Sequence, residues 1–570
     1  MGKLNSSRRR FLYNVGGLAA ITLVGGYLDA FAFGTSSRVN RNSHYKGNKG
    51  NARLRDVNTT DISGAIALGC KTMSHVFNAD DHDIPFFGSS IDEQSSGLWF
   101  NDSHSEAHIP GRHLNALLNA EDILDLKLEK NVIEKHSAAA FYAYSGKIPM
   151  PLNRKKIGGE PVNFLPHNIR EGFHALYALV KFRNSKKART LAEQSIEFIF
   201  DNWSPGNGWN KQYIEKELGL SLIEWRGPFI TGIARAIGPL VKFYDATRYG
   251  RALELALLLK QKALDEFFLP EGGFDNNLFG THTHSTTCVM SSLAQLADAT
   301  GDVHLLMRVK VFFDNGLTEI SNAIGWSVEN CDPDSDPDRG EINNTGDILE
   351  TALIFAKWGY IEYYNHAERI LRAHLLPAQL RDISFIKEPL NPKNENGKRD
   401  VAERHRGAFG FPAPYGHRPL GNKVISFNLD IVGGGVGSLC EAYRNIYVFK
   451  NQAHYVNLLF DYDSESLRIE SPYTHDALSV YIKKQAPLFI RIPAFADRSK
   501  LSASEAYVLD GDYLLITDPP LDKKITIRFD LTETDIMLKY GNRKIKAILR
   551  GDSIKAMENF NADLTFFEAI

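Results

Sequence analysis

Cysteine is scarce in this chain of 570 residues, which contains only Cys70, Cys288, Cys331 and Cys440. The four lie far apart, and none belongs to a Cys-x-x-Cys pair. A disulfide framework or a structural zinc ribbon is therefore not expected, because both depend on several cysteines at short, regular spacing. A single long-range disulfide is the alternative that this spacing leaves open.

Net charge is also small. The chain carries 66 Lys and Arg against 68 Asp and Glu, a formal charge of -2, and has no concentrated basic stripe. Nucleic-acid binders need such a stripe to neutralise phosphates, so no nucleic-acid partner is expected. Hydrophobic residues (43%) and charged residues (24%) are as frequent as in ordinary globular proteins. The length predicts two or three domains.

Long apolar runs are missing beyond the N-terminus. There, residues 7–12 (SRRRFL) precede a Gly- and Ala-rich apolar run at about 15–28 and an Ala-Phe-Ala cleavage pattern at 30–32. This order is typical of a twin-arginine export signal. We expect a signal peptide at 1–32, a linker at 33–56, and export to the periplasm or beyond, with no membrane span after cleavage. An uncleaved N-terminal anchor is the alternative.

Apolar residues recur every three or four positions from residue 61 to residue 377, the period of amphipathic helices. The helices pair into hairpins of about 50 to 60 residues. This predicts a mainly α architecture, an (α/α)6-toroid over residues 57–450 that closes around a central cavity. An open α-solenoid is the competing architecture. The predicted helices cover residues 61–77, 112–127, 130–145, 166–183, 187–202, 228–246, 249–268, 283–299, 302–322, 346–360 and 363–377.

The apolar period changes to two beyond residue 450. Short alternating segments bounded by turn residues are typical of strands, and their number predicts a C-terminal antiparallel β-sandwich at 451–570. The polar stretch at 380–430 between the two parts is predicted to be a long excursion.

Acidic residues are concentrated between Glu329 and Glu350. Two prolines at 333 and 337 exclude helix over the first part, because proline lacks the amide donor and restricts the residue before it. We expect a loop that carries acids to the mouth of a cavity, followed by a helix capped by Thr345. A solvated acidic cap is the alternative.

Further clusters combine His, Arg and aromatic residues at turns and helix starts. Sugar hydroxyl groups need paired polar partners, and sugar C–H faces pack on aromatic rings, so these clusters predict a carbohydrate ligand. Helix capping and core packing are the structural alternatives for each residue. The candidate substrate-binding residues are His167, Arg170, His174, Trp225, His282, His284, His417 and Arg418.

Three segments resemble a known family. His282-Thr-His284-Ser-Thr-Thr, with Thr-Gly-Asp at 300–302, resembles the His-x-Asn-Thr…Leu-Tyr-x-x-Thr-Gly-Asp segment of the β-L-arabinofuranosidases of glycoside hydrolase family 127. Leu-Phe-Ile-Arg-Ile-Pro at 488–493 and Arg-Gly at 550–551 resemble two of that family's β-domain strands. The resemblance covers patches from about 165 to 555. It implies a helical toroid followed by a β-sandwich, and a glycosidase activity.

That family uses a cysteine nucleophile in a zinc site of one Glu and three Cys, with a separate Glu as acid/base. Carried over by spacing, the acid/base position falls on Glu329, and ligand positions fall on Thr345, Asp347, Leu439 and Cys440. Zinc needs about four N, S or O donors, so we expect the zinc–thiolate site to be lost and no metal or other cofactor to be bound. Cys440 is then a packed thiol, a remnant nucleophile or a ligand-contacting residue.

Two carboxylates remain sufficient for cleaving a glycosidic bond. Glu329 and Asp347 are the preferred catalytic pair, with Glu341 and Glu350 as substitutes. The sequence therefore predicts a glycoside hydrolase acting on an oligo- or polysaccharide. The alternatives are a polysaccharide lyase or unsaturated uronyl hydrolase, which would need a positive pocket for the uronate, and a non-catalytic glycan-binding protein. The oligomeric state is left open.

Overall fold

The computed structural model describes residues 53–92 and 96–570. The predicted signal peptide and most of the predicted linker lie outside these residues. Among the described helices, none combines the length and hydropathy needed to cross a membrane. The α-helices are α1 (Ile62–Met73), α2 (Ile109–Leu124), α3 (Lys130–Ala143), α4 (Ile169–Arg183), α5 (Lys186–Asn202), α6 (Ile237–Thr247), α7 (Gly250–Glu266), α8 (Asn276–Phe279), α9 (Thr283–Thr300), α10 (Val303–Asp314), α11 (Ile342–Lys357), α12 (Glu362–Ile370), α13 (Val401–His405) and α14 (Asp430–Ile446).

Six helices form a closed inner ring. In order these are α2, α4, α6, α9, α11 and α14, and α14 packs back against α2. Helices α3, α5, α7, α10, α12 and α1 pack outside the ring. Helix α1 contacts both α14 and α2, and α3 contacts both α2 and α4. The predicted (α/α)6-toroid is therefore confirmed. The solenoid is excluded, because its first and last helices do not touch.

The start of α11 differs from the prediction. The helix begins at Ile342, with Glu341 at the N-cap position, four residues earlier than predicted. Thr345 lies inside the helix, and its hydroxyl donates to the carbonyl of Gly325 at 2.8 Å. The prediction that Thr345 caps this helix is therefore wrong. The earlier start places Glu341 at the helix end and Asp347 in the second turn.

Short strands connect the helices of the toroid, and longer ones follow α14. The toroid contains β1 (Phe77–Asn78), β2 (Ile84–Pro85), β3 (Gly88–Ile91), β4 (Gly97–Trp99), β5 (Leu152–Arg154), β6 (Pro161–Phe164), β7 (Trp203–Ser204), β8 (Gly208–Trp209), β9 (Ser221–Leu222) and β10 (Ile425–Ser426). The C-terminal part contains β11 (Tyr447–Lys450), β12 (Ala453–Val456), β13 (Tyr462–Asp463), β14 (Leu467–Glu470), β15 (Leu478–Ile482), β16 (Leu488–Arg491), β17 (Ser502–Ala503), β18 (Val508–Asp510), β19 (Tyr513–Ile516), β20 (Lys524–Arg528), β21 (Glu533–Tyr540), β22 (Arg543–Arg550), β23 (Ser553–Met557) and β24 (Glu568–Ala569).

The C-terminal strands form three sheets. Two have five strands, in the orders β11-β12-β16-β19-β18 and β13-β14-β15-β20-β17, and the third has the order β21-β22-β23-β24. Their pairs are antiparallel except β12 with β16 and β23 with β24. Apolar side chains of both five-stranded sheets enter the continuous core. The predicted C-terminal antiparallel β-domain is confirmed, with these two parallel pairs as exceptions.

A buried ionic cluster joins the toroid to the C-terminal sheets. Glu368 of α12 pairs with Arg372, N to O distance 3.0 Å, and with Arg491 of β16. Each of the three side chains is at most 1% exposed. Arg372 also donates to the carbonyl of Leu459 at 2.7 Å. One carboxylate thus holds two buried cations where the two parts of the chain meet.

The acidic loop also contacts the C-terminal sheets. Asp338 is buried and accepts hydrogen bonds from the hydroxyls of Tyr415 (2.9 Å) and Tyr540 (2.8 Å) and from Arg543 Nε (2.7 Å). Tyr540 and Arg543 lie at the turn between β21 and β22. The prediction that this loop carries its acids to a cavity is therefore wrong for Asp338, which anchors a sheet instead.

Candidate active site

Polar residues gather where the inner helices begin. His108 precedes α2, His167 precedes α4, His282 precedes α9, Glu341 precedes α11, and Asp430 is the first residue of α14. His108 Nε2 lies 3.2 Å from Asp430, and His282 Nε2 lies 3.5 Å from Glu341. The His167 ring lies 5.7 Å from that of His108 and 5.3 Å from that of His282. The starts of these helices therefore surround one site.

Aromatic rings form the mouth of this site. The Trp225 ring lies 4.2 Å from that of His167, 5.6 Å from that of His282 and 5.9 Å from that of His104. His282 keeps 24% of its side chain exposed. Burial lowers the pKa of His104 and His167 well below the usual value, so both rings are neutral at pH 7. The mouth thus offers an indole face beside neutral imidazoles.

Below the mouth, Glu171 of α4 binds three arginines. Its Oε1 lies 3.0 Å from Arg235, 3.2 Å from Arg112 and 3.5 Å from Arg170. Burial alone would raise the pKa of Glu171, but Arg235, His108 and Arg112 outweigh it and hold the pKa well below its usual range. Glu171 is therefore permanently ionised, and it orients these arginines rather than supplying a proton.

The pKa of Asp347 in α11 is shifted in the opposite direction to that of Glu171. Its Oδ1 lies 3.2 Å from Arg170, and its Oδ2 accepts a hydrogen bond from Thr287 at 3.0 Å. Burial raises the pKa of Asp347 to about 6, with a further contribution from Glu350, although Arg170 opposes the shift. A carboxyl group of this kind holds a proton close to neutral pH, as acid catalysts must.

One imidazole joins Asp347 to Glu341. His284 Nε2 accepts a hydrogen bond from Arg112 at 3.0 Å and lies 3.4 Å from Asp347. With Nε2 as acceptor, the ring carries its proton on Nδ1, which lies 3.4 Å from Glu341. Burial lowers the pKa of His284 well below its usual value, so the ring is neutral. Glu341 also accepts from Asn343 at 2.7 Å. The two carboxyl groups therefore lie on opposite sides of one ring.

A narrow polar cavity continues below this layer. Glu350 accepts hydrogen bonds from Ser438 at 3.0 Å and from Ser291 and Gln295 at 3.3 Å. The cavity provides space beside Asp347 on the side away from the mouth. Its lining includes Asn115, His174, Lys242, Asp347, Glu350 and Ser438.

The structure brings most of the predicted site residues together. Glu329 lies at the rim, where it forms an ion pair with Arg339 and keeps 18% of its side chain exposed. Its backbone carbonyl accepts a hydrogen bond from the amide of Thr283, next to His282. The predicted residues that line the mouth or the cavity are His167, Arg170, His174, Trp225, His282, His284, Glu341 and Asp347.

Three predicted residues lie elsewhere. His417 packs between the rings of Phe427 and Phe566, at 6.0 and 4.9 Å. Arg418 faces Asp563 at 4.0 Å. Cys440 is fully buried in the core, and burial, followed by the neighbouring Cys70, raises the pKa of its thiol well above the usual value. These three side chains pack against other parts of the fold, and none of them lies at the mouth.

Sequence reasoning missed several residues of the site. They are His104, His108, Arg112, Glu171, Arg235 and Asp430. His104, His108 and Arg112 are spaced by four residues, which puts them on one side of a continuing helical path. The predicted helices at 61–77 and 112–127 leave His104 and His108 between them, so this spacing was not recognised as helical.

Comparison with known proteins identifies the fold. No protein-family model and no curated protein matches the sequence. A family 127 β-L-arabinofuranosidase from Geobacillus stearothermophilus T6 superposes with a TM-score of 0.52 and 13% identity, over 86% of this chain and 80% of that one. This chain has the arabinofuranosidase fold. A second family 127 β-arabinofuranosidase gives a TM-score of 0.51 and 13% identity over 86% and 79%.

The resemblance to family 127 seen in the sequence is thereby confirmed at the level of the arabinofuranosidase fold. The family's zinc positions do not fit a metal here. Leu439 offers no donor atom, Cys440 is packed beside Cys70, and the hydroxyl of Thr345 donates to a backbone carbonyl. Of these four residues, only Asp347 has a carboxylate, and that carboxylate is paired with Arg170. These four residues therefore do not form a metal site.

Among the described residues, two other groups of side chains have the spacing of metal ligands. One is His104, His108 and His167, and the other is His282, His284 and Glu341. In the second group, His284 Nε2 accepts a hydrogen bond from the Arg112 guanidinium, so a metal ion at that nitrogen would lie beside a fixed positive charge. In the first group, His108 Nε2 faces the carboxylate of Asp430 instead, which favours a cation. The first group is therefore the better candidate to hold a metal ion.

Proposed function

We propose that this protein is a glycoside hydrolase that cleaves an oligo- or polysaccharide by carboxylate acid/base catalysis. The observation that carries the proposal is the pair Asp347 and Glu341, joined through His284 at the helix starts of the toroid. Glycosidases need two carboxyl groups with unequal proton affinity around one glycosidic bond. The raised pKa of Asp347, together with the arabinofuranosidase fold, supports this assignment.

In this mechanism Asp347 donates its proton to the glycosidic oxygen as the bond breaks. Arg170, 3.2 Å away, then stabilises the carboxylate that remains. Glu341 attacks the anomeric carbon or accepts a proton from the attacking water. The hydrogen bond that Glu341 accepts from Asn343 and its contact with His284 hold its carboxylate in place for either role.

The mouth supplies groups suited to a sugar. Trp225 presents a ring on which sugar C–H groups can pack, and the half-buried His282 can bond to a hydroxyl. The activity of the two structural relatives makes L-arabinofuranosides the first class of substrate to test.

A substrate panel tests the proposal. Purified protein is incubated with oligosaccharides that include L-arabinofuranosides and unsaturated uronides, and the products are separated by chromatography. We expect release of a sugar from at least one of them by hydrolysis. A product that absorbs through a new double bond would instead establish a lyase. Binding on a glycan array without release of any sugar would favour a binding protein.

The rate should also depend on pH in a defined way. Because the pKa of Asp347 is raised to about 6, its proton is present below that pH and is lost above it. We therefore expect kcat/KM to fall as pH rises through about 6. The residual activity of Asp347→Asn should lack this decline. A wild-type rate that stays constant over this range would remove Asp347 from the role of acid.

Export by the twin-arginine route is part of the proposal. Conversion of Arg8 and Arg9 to lysine should leave the protein in the cytoplasm, because the pathway recognises that pair. Arg10→Lys, at the variable position, should be exported normally. Immunoblots of cell fractions distinguish the two results. Equal export of all three proteins would indicate another route.

A further inference from the structure

Three buried histidines lie together at the mouth of the site. One ring nitrogen from each of His104, His108 and His167 lies within 4.8 Å of the corresponding nitrogens of the other two. The residues are 8%, 3% and 4% exposed. None of them takes part in the acid/base mechanism proposed above. Their grouping therefore needs a separate explanation.

Hydrogen bonds fix the orientation of two of these rings. His104 Nδ1 lies 2.9 Å from Asn101 Oδ1, and His167 Nδ1 lies 2.8 Å from the carbonyl of Thr231. The carbonyl of Thr231 can only accept a hydrogen bond, and so can the side-chain oxygen of Asn101. Each Nδ1 therefore carries the N–H, and the lone pair of each ring is on Nε2. Histidines that ligate metals are held in this way by an acceptor behind the ring.

The third ring, His108, faces three acceptors: Asn168 Oδ1, Asp430 Oδ2 and, at 3.5 Å from its Nδ1, Glu171 Oε2. Asn168 donates its amide N–H to the carbonyl of Ser103 at 2.6 Å, so its oxygen is the atom that lies 2.9 Å from His108 Nδ1. That oxygen accepts a hydrogen bond from the Nδ1–H of His108. The Nε2 lone pair then faces the carboxylate of Asp430 at 3.2 Å. The lone pair of His108 Nε2 and the Asp430 oxygen are both acceptors, and at 3.2 Å they repel each other unless a positive charge lies between or beside them. That charge is either a proton or a metal cation.

The surroundings suit a cation with one open coordination position. Asp430 supplies negative charge beside the three imidazole rings. Phe87 stacks on His104 at 4.4 Å, and Trp225 covers His167 at 4.2 Å, so the rings are held on their apolar sides. The His282 ring lies 5.3 Å from that of His167 and is partly exposed, so solvent reaches this side of the group.

We propose that His104, His108 and His167 bind a divalent transition-metal ion, with zinc as the first candidate, at the mouth of the toroid. Three imidazole nitrogens with an open fourth position form a common zinc site, with Zn–N distances of about 2.0–2.1 Å. None of the three histidines occupies a position carried over from the zinc site of family 127. The proposal does not depend on the proposed hydrolase activity, because its test measures metal binding.

The test uses the full chain without its signal peptide. Protein stripped by a chelator is titrated with zinc chloride, and bound metal is measured by mass spectrometry after gel filtration. We expect about one zinc ion per chain. His104→Gln and His167→Gln should each weaken binding at least about 100-fold, and Asn101→Ala, which removes an orienting acceptor, about 10- to 100-fold.

His374→Gln provides the matched control, since His374 is also fully buried but lies outside the three-histidine group. It should bind zinc as the wild type does. Cobalt(II) added to the wild type gives a second readout that needs no variant, because histidine ligation in a tetrahedral site produces intense visible bands. Absence of these bands, or zinc binding that is unchanged in His104→Gln and His167→Gln, would overturn the proposal and leave a proton between His108 and Asp430.

Discussion

Replacing Asp347 by Asn is expected to lower kcat/KM for glycoside hydrolysis by about 100- to 10,000-fold. The amide is nearly isosteric and can keep the hydrogen bond from Thr287. It cannot donate a proton of comparable acidity to a leaving oxygen. The loss should be smaller for substrates with a good leaving group, such as an aryl glycoside, because these need less protonation.

Glu341→Gln should reduce the rate to a similar extent on both kinds of substrate, because the second carboxylate acts at the anomeric carbon whatever the leaving group. The anomeric configuration of the first wild-type product, followed by NMR, separates the two roles of Glu341. Retained configuration would indicate that Glu341 is the nucleophile, whereas inverted configuration would indicate that it is the base that activates water.

Glu329→Gln serves as the comparison at the rim, where Glu329 is paired with Arg339. We expect a smaller loss than for Asp347→Asn. A loss as large as that of Asp347→Asn, with Glu341→Gln fully active, would show that the family's acid/base position has been kept at Glu329. Thermal unfolding of each variant controls for loss of folded protein.

Glu368→Gln is expected to destabilise the protein by about 3–5 kcal/mol. Its carboxylate is the shared partner of Arg372 and Arg491, and all three side chains are at most 1% exposed. Without it, two buried guanidinium groups would lie close together with no carboxylate between them. Because Arg491 lies on β16 and Glu368 on α12, we expect the contact between the toroid and the C-terminal sheets to weaken first.

Glu533→Gln is the matched control. Glu533 pairs with Lys555 on the surface of the C-terminal sheets, and the two side chains are 50% and 52% exposed. Exposed pairs contribute about 0–1 kcal/mol, so this variant should unfold almost as the wild type does. Denaturant unfolding, followed by circular dichroism, measures the free energy of unfolding of each variant. Limited proteolysis at residues 447–453 measures whether the contact between the toroid and the C-terminal sheets has weakened. Equal midpoints for the two variants would contradict the assigned role of Glu368.

Local sequence pattern located most of the secondary structure. The spacing of apolar residues located five of the six helices of the inner ring, all except α14, and the change of period beyond residue 450 marked the C-terminal strands. Residues 488–493, which resemble a strand of family 127 in sequence, include strand β16 (Leu488–Arg491). The pattern could not reveal that Arg491 in this strand is a buried partner of Glu368, because the two are far apart in the chain.

The composition of the site depended on contacts that no local pattern records. Glu171 is ionised because arginines from α2, α4 and the turn before α6 converge on one oxygen, and the pKa of Asp347 is raised to about 6 because the ring of helices buries it. Burial and charge act through space, so neighbouring sequence cannot report them. By itself the sequence determined that this chain forms helical hairpins followed by β-strands, and the contact of α14 with α2 decided between a toroid and a solenoid. Only closure of the ring decided which carboxylates and histidines meet at its centre.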